Sequence, residues 1–366
     1  MSVRRKKGSG KFRAFAGMFI LALVAFAGAN FLIWRCFTKE LLMPGSPASD
    51  LVRLSYLVKI RQERVAGVDL PKRHVPIGDY RGEKVDMITV GDSFSQGGGG
   101  GRNPYYQDYI ASNNNFTVVN FPSKVNMGRP GYFTPVNTLA ILYNSGMLDR
   151  LKPRYILLES VERYAPERLV FNFSFDDTEP LDRLLSYYAG YKPVDVLKNA
   201  TDSFINTGNA KCIYYNIKDL FPVTKINDNV HRSGLRRTMF SGRYGDRLYY
   251  YHDEYTNSVS LTRDTVRAMN DNLNVIADKL AEKNIRLVFM PVVSKLTLYG
   301  EYADPPRNDS FFFEELRKLP KRYQFVDTKE LLRGAVQHGE LDVFYKDDTH
   351  WSWKASQKIF DAVRFH

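Results

Sequence analysis

Twenty-one consecutive residues near the start of the chain, Ala14 to Trp34, carry no charge. At 1.5 Å per residue a helix of this length crosses the ~30 Å hydrocarbon core of a bilayer. Arg4, Arg5, Lys6, Lys7, Lys11 and Arg13 precede it with no acidic residue among them, and Trp34 and Arg35 stand at its far end, as interfacial anchors do. A secretory signal shares the basic start, but its apolar part runs to ~7–15 residues and ends at small residues. Here the run ends Ile33-Trp34-Arg35-Cys36-Phe37, and Cys36 lacks the preceding small residue of a lipoprotein signal. The expected organisation is a basic cytoplasmic tail over 1–13, an uncleaved transmembrane anchor over 14–34, a linker with an amphipathic helix over 35–80, and a folded domain over 81–366. The positive-inside rule puts that domain on the extracytoplasmic, periplasmic side of the inner (plasma) membrane as a single-pass protein.

The net charge of +12 invites a nucleic-acid reading, but half of it sits in the N-terminal tail. The remainder is a modest surplus over a large surface, which argues against a nucleic-acid partner. Cys36 and Cys212 are the two cysteines; they build no disulfide scaffold, and no Cys/His cluster has zinc-ligand spacing. The reading calls for no metal and no cofactor.

Beyond the anchor, Gly45-Ser46-Pro47-Ala48-Ser49 reads as a linker, with Ser49 or Asp50 as N-cap of an amphipathic helix over Leu51–Val65 that packs on the domain. From Val85 onward strands and helices alternate. Lys84–Val90, Phe116–Phe121, Tyr155–Leu158, Ile285–Pro291 and Phe325–Val326 read as strands. Pro135–Leu148, Asp264–Lys283, Asp309–Leu319 and Trp353–Phe365 read as helices. The alternation implies an α/β domain, a parallel sheet with helices on both faces. The interval from about 170 to 255 breaks it; helices over Pro180–Tyr188 and Val194–Ile205 have no strand between them, and the interval reads as an insertion covering the site. Tyr249-Tyr250-Tyr251 at its end is either a sugar-stacking surface or ordinary core.

The chemistry sits in two short segments. Gly91-Asp92-Ser93-Phe94-Ser95 follows the first strand of the alternation, where open α/β sheets place their ligands. Asp347-Asp348-Thr349-His350-Trp351 lies within the last twenty residues. A serine hydroxyl is a weak nucleophile until a base takes its proton, and that base needs a carboxylate to fix its tautomer. Ser93, His350 and Asp348, with Asp347 as the alternative acid, supply the set. The pentaglycine Gly97–Gly101 is followed by Arg102-Asn103-Pro104 rather than Gly-Lys-Ser/Thr, so it cradles no nucleotide phosphate. It is either a movable rim of the substrate cleft or a loose surface loop.

Gly-Asp-Ser-Phe-Ser followed far downstream by Asp-Thr-His-Trp resembles the SGNH (GDSL-like) hydrolase superfamily. Trp351 after the histidine looks most like the SGNH-like domains of periplasmic alginate and polysaccharide O-acetyltransferases, and the same pattern favours Asp348 over Asp347. Leu158–Tyr164 and Pro291–Tyr299 add further similarity. The chain departs from that branch because its serine comes before the Asp-x-His pair, and because no asparagine for the oxyanion stands in Tyr155–Arg163. The resemblance implies an SGNH-like (flavodoxin-like) fold and an acyl-serine enzyme. Oxyanion or substrate contacts fall to the Ser93 amide, to Gly128 or Gly131, to Arg163 in place of the asparagine unless it pairs with Glu159 or Glu162, and to Lys295 unless that lysine is a surface residue. It further implies a glycan acceptor and an acyl donor delivered by a membrane acyltransferase partner. Three functions stay open: O-acetylation of a polysaccharide, a carbohydrate esterase or deacetylase, and a catalytically silent glycan-binding scaffold.

Overall fold

The computed structural model describes residues 9–42, 49–123, 134–189, 191, 203–307 and 310–365. Gly128, Gly131, most of the 45–49 linker and most of the helix expected over Val194–Ile205 lie outside the described residues. Nine strands are present among those described: β1 Val75–Pro76, β2 Met87–Gly91, β3 Val118–Pro122, β4 Tyr155–Val161, β5 Val230–Leu235, β6 Arg247–Tyr251, β7 Arg286–Val292, β8 Ala303–Asp304 and β9 Gln324–Phe325. Six of them form one sheet in the order β1-β3-β2-β4-β7-β9, parallel at every junction. With the two-residue β1 set aside, this is the flavodoxin-like order 2-1-3-4-5, whose crevice opens at the carboxyl ends of the strands beside the first of them. β2 is that first strand.

The sequence dictates this sheet plainly. Every residue of β2, β3 and β4 is buried, the signature of strands covered on both faces. The covering helices are amphipathic. In Arg263–Ala281 the buried Val266, Met269, Leu273, Ile276 and Leu280 recur at three- and four-residue intervals, and Thr262 caps its start by accepting a hydrogen bond from the Thr265 amide. Pro135–Asn144 begins with a reciprocal Thr134/Asn137 capping box.

Two expectations need correction. The insertion contains strands as well as helices: β5 and β6 pair antiparallel, and β8 extends them into a second, three-stranded sheet. The β5 pattern was masked by a buried Arg232, whose guanidinium donates to Asp219 Oδ1 at 2.6 Å. Asp219 also meets Lys59 and Arg247 and accepts from Tyr249. Tyr249 and Tyr250 are buried and belong to the core, not to a stacking surface.

The second correction concerns the segment after the anchor. The helix stops at Ser55, because Tyr56 adopts a left-handed φ of 58°; a short 3-10 turn over Val58–Ile60 follows, and the chain then runs extended. The amphipathic pattern does report packing: Leu51, Val52, Leu57 and Ile60 are buried in a second core with Leu41, Ile226, Val230 and Tyr249. The extended stretch places Gln62 and Arg64 against the loop that carries His350. The segment expected to be the anchor is helical from Ser9 to Ile33 and, through a π-turn over Trp34–Thr38, on to Leu42. Gly10–Leu41 is the one helix among the described residues that is long and apolar enough to cross a membrane.

Candidate active site

The turn after β2 is built around a buried carboxylate. Asp92 accepts from the Phe94 amide at 3.2 Å and the Val161 amide at 3.0 Å, and pairs with Arg168. Its own amide donates to Glu159 Oε2 at 2.9 Å. Burial pushes the Asp92 carboxyl up, but the Arg168 charge and hydrogen bond, with the Val161 amide, outweigh it and hold the group at about 2. Glu159 moves the other way, well above the carboxyl range, through burial and the neighbouring Asp92 charge. Gly91 must be glycine here, since a Cβ would lie 2.2 Å from Glu159 Oε2 and 2.0 Å from Ser95 Oγ. The consequence is a rigid turn that leaves Ser93 exposed while Asp92, Phe94 and Ser95 are buried. The Ser93 amide donates to no acceptor among the described residues.

His350 comes to this serine from the other end of the chain. Its Nε2 lies 2.7 Å from Ser93 Oγ, and its Nδ1 lies 2.6 Å from Asp348 Oδ1. Asp348 Oδ1 also accepts from the His350 amide at 3.0 Å, which fixes the acid relative to the ring. Asp347 faces away, taking Arg64 Nη2 at 2.8 Å and the Gln62 amide at 2.9 Å. Phe94 packs on the imidazole at 4.6 Å and meets Trp351 edge-on at 5.1 Å, so the aromatic residue of each motif supports the other. Burial opposes ionisation of Asp348, but His350 and Arg64 hold its carboxyl far below the usual range. For His350, burial pulls the imidazole down, while Asp348 and then Asp50 carry it above its ordinary value.

Asp50 is a participant that the sequence suggested only as a helix cap. Its side chain caps nothing; it accepts from the Thr349 amide at 2.9 Å and from the Thr349 hydroxyl, and Oδ2 stands 3.7 Å from His350 Nδ1. Its amide donates to Asp348 Oδ2 at 3.3 Å. Burial and the Asp348 charge raise its carboxyl to about 6. Asp50, Asp348 and His350 each bring a ligand atom to within 4.8 Å of the others, but a cation there would have to break the Asp348–His350 hydrogen bond.

The remaining candidates separate. Lys295 is fully buried and donates to the carbonyls of Lys346 at 2.8 Å and Asp348 at 3.1 Å, so it holds the histidine loop from beneath; burial lowers its ammonium to about 8. Arg163 pairs with neither glutamate. Glu162 is occupied by the Ser294 amide, Thr297 and Ser310, and Glu159 by the Asp92 amide and Ser95. Arg163 Nε and Nη1 are buried without a hydrogen-bond partner among the described residues, and its charge opposes protonation of His350.

The pentaglycine is neither loose nor free to swing. The Gly98 amide donates to the Ser93 carbonyl at 2.8 Å, and Arg64 Nε donates to the Gly99 carbonyl at 2.5 Å. A Cβ on Gly98 would stand 2.3 Å from His350 Cδ2 and Nε2. Glycine is required there so that backbone can pass against the imidazole. No local pattern signals Arg64, Gln62 or Arg168, because each acts across a long separation in the chain.

Two outcomes follow from this geometry. Gly98→Ala should displace the imidazole and lower kcat by about 100-fold or more, the scale of a ~1 Å misplacement. Gly100→Asn should be tolerated, since nothing lies within 4 Å of a Cβ there and its φ of 65° suits asparagine; steady-state turnover of a chromogenic acyl ester compares them. Asp50→Asn removes a negative charge that favours imidazolium. Only neutral His350 can accept the serine proton, so the acid limb of kcat/KM should move to lower pH, with Asp348, Arg64 and Arg163 left in place around the ring. A pH–rate profile that stays put or moves upward would contradict this role.

No curated protein and no solved structure matches the chain. A family model does match residues 246–364, about a third of the 366 residues. That stretch carries Asp348, His350 and Trp351 but not Ser93. With an α/β, flavodoxin-like sheet and the Asp-Thr-His-Trp segment on it, the C-terminal part of this chain is similar to the SGNH hydrolase-like domain of the acetyltransferase AlgX.

Proposed function

We propose that this protein is a membrane-anchored, extracytoplasmic SGNH-type acyltransferase that transfers an acetyl group to a polysaccharide hydroxyl through an acyl-serine intermediate on Ser93. The relay from Ser93 Oγ through His350 to Asp348, with legs of 2.7 and 2.6 Å, is the observation that carries the reading. As Ser93 attacks the acyl carbonyl, His350 Nε2 takes its proton and returns it to the departing group. The acceptor hydroxyl then attacks the acyl-serine and gives its proton to the same nitrogen, which passes it to Ser93 Oγ as the acyl–Oγ bond breaks and the new ester leaves. Asp348 keeps Nδ1 protonated and offsets the imidazolium charge throughout. The Ser93 amide faces the developing oxyanion, with Arg163, Gly128 and Gly131 as the further candidates; one such donor is worth ~3–4 kcal/mol. No metal or cofactor enters these steps.

Acyl transfer and hydrolysis share the first half-reaction, and the exposure of Ser93 supports water as a second acceptor. A carbohydrate esterase or deacetylase is therefore the alternative. Similarity of residues 246–364 to an acetyltransferase domain and the apolar N-terminal helix favour transfer. Because acetyl-CoA is cytoplasmic, an extracytoplasmic transferase needs a membrane acyltransferase partner to hand over the acyl group. A silent glycan-binding scaffold would have no use for so complete a relay.

Incubation with an acetyl ester donor, with and without oligosaccharide, should give an acetyl adduct on Ser93 by mass spectrometry and acetylated sugar. Ser93→Ala should keep its fold to within ~1 kcal/mol and lose several orders of magnitude in turnover; normal polysaccharide acetylation in cells carrying only this form would leave the scaffold reading. Asp348→Asn should cost about 10⁴-fold in kcat by losing the tautomer control. Asp347→Asn should instead cost ~1–3 kcal/mol of stability through the lost charge-assisted bonds to Arg64, which keeps Asp348 and the Gly99 carbonyl as partners, while turnover falls less than about tenfold. The reverse ranking would place the acid at Asp347.

A further inference from the structure

We infer that the helix Thr207–Lys218 and the turn after it lie on the outer leaflet of the membrane, so that the folded domain rests on lipid at a second place besides its anchor. The inference rests on the reading of Ala14–Trp34 as a membrane span. Ile213, Tyr214, Ile217, Leu220 and Phe221 are 48–68% exposed, and their spacing puts them along one side of this helix and its continuation. The opposite side is committed: Cys212 is buried, and Asn216 Nδ2 donates to the Tyr56 carbonyl at 2.7 Å. A contiguous apolar surface of this kind on a folded domain marks a contact with lipid or protein.

The occupant is identified by where the helix begins. Asn209, in its first turn and buried, accepts from Thr38 Oγ1 at 2.6 Å and donates to Asn30 Oδ1 at 3.0 Å. Phe204, just before the helix, meets Phe31 edge-on at 6.0 Å. Asn30 lies four residues inside Trp34, about 6 Å below the interface at 1.5 Å per residue. At that depth its amide needs protein partners: its Nδ2 donates to the Phe26 carbonyl at 3.0 Å, and Asn209 supplies the donor to its Oδ1. The start of the helix is therefore tied to the anchor at the level of the acyl chain–headgroup boundary, and the exposed apolar side begins one turn further on, at Ile213. Arg35 and Lys39 flank the Thr38 that meets Asn209, Lys39 lying over the Trp34 ring, and Lys211 follows Asn209 by two residues; cationic residues so placed suit the headgroup level of interfacial helices.

The placement reaches the candidate active site through few contacts. Lys59 donates to the Asn216 carbonyl at 3.1 Å and pairs with Asp219 at 2.9 Å. Three and five residues later, Gln62 and Arg64 hold Asp347. Two lipid contacts would thus fix the height of Ser93 above the membrane, where an acyl group delivered by an integral membrane donor must arrive.

The test uses the full-length chain with Cys36→Ser, reconstituted alone in phosphatidylethanolamine/phosphatidylglycerol vesicles and spin-labelled at Ile217→Cys, Phe221→Cys, Leu23→Cys or Asp271→Cys. Collision with lipid-soluble oxygen is compared with collision with a water-soluble nickel chelate. The oxygen-to-nickel ratio at 217 and 221 should exceed that at Asp271, on an exposed helix face, by several-fold and approach that at Leu23 in the anchor. Labels at 217 and 221 that behave like Asp271 while Leu23 remains in lipid would overturn this inference, leave the anchor standing, and assign the patch to a protein partner. An aqueous Leu23 would overturn both.

Discussion

The 2.6 Å hydrogen bond between Asp348 and His350 Nδ1 is the contact on which the rest of the site depends. It decides which ring nitrogen is left to face Ser93, and it requires a buried carboxylate to stay ionised. A buried charge without partners is costly, so the structure surrounds Asp348 with donors: the imidazole, the His350 amide, Arg64 and the Asp50 amide. Lys295 ties the carbonyls of the same loop from below. The loop's polar groups are thus met from two separate parts of the chain, the 50–64 stretch and Lys295, which is why a short irregular segment can hold an imidazole within hydrogen-bond reach of a serine on another element.

A second pair of buried carboxylates plays a related part beneath Ser93. Asp92 and Glu159 lie side by side with one guanidinium, Arg168, at hand. One cation stabilises one anion, and the opposite directions of the two carboxyls follow: Asp92 is held low by Arg168, while Glu159, buried beside that charge, is driven toward its protonated form. The ionised Asp92 organises the amides of Phe94 and Val161, and with them the angle at which Ser93 leaves β2. The aspartate of Gly-Asp-Ser thereby has a structural reason of its own, separate from the relay.

What could be read from the sequence was what short-range patterning controls. Predominantly apolar, β-branched runs announced β2, β3 and β4, and three-to-four spacing announced Arg263–Ala281. β5 escaped because an arginine occupies a buried position that only the distant Asp219 makes tolerable. The choice between Asp347 and Asp348 rested on a resemblance, since both spacings suit a histidine partner; Arg64 separates the two in space by drawing Asp347 away. Asp50 was unreadable, lying 300 residues from His350 and resembling any aspartate at a helix start. The glycines misled in the opposite direction. Five in a row suggest looseness, yet Gly98 is small so that backbone can be close-packed on the imidazole.

The order of the parts along the chain is instructive in the same way. The similarity to an acetyltransferase domain covers residues 246–364 and stops far short of Ser93. A site at the carboxyl ends of a parallel sheet is assembled from neighbouring strand ends and loops, so proximity depends on sheet order rather than on sequence order. β2 is a neighbour of β4, and the histidine loop reaches it from beyond β9. What the N-terminal part adds is the stretch from Asp50 to Arg64, which packs its apolar side against Ile226, Val230 and Tyr249 and its polar side against Asp347, Asp348 and Thr349. The long apolar N-terminal helix and the orientation of the imidazole are therefore linked through one continuous piece of backbone, which contacts Asp347, Asp348 and the Thr349 amide directly.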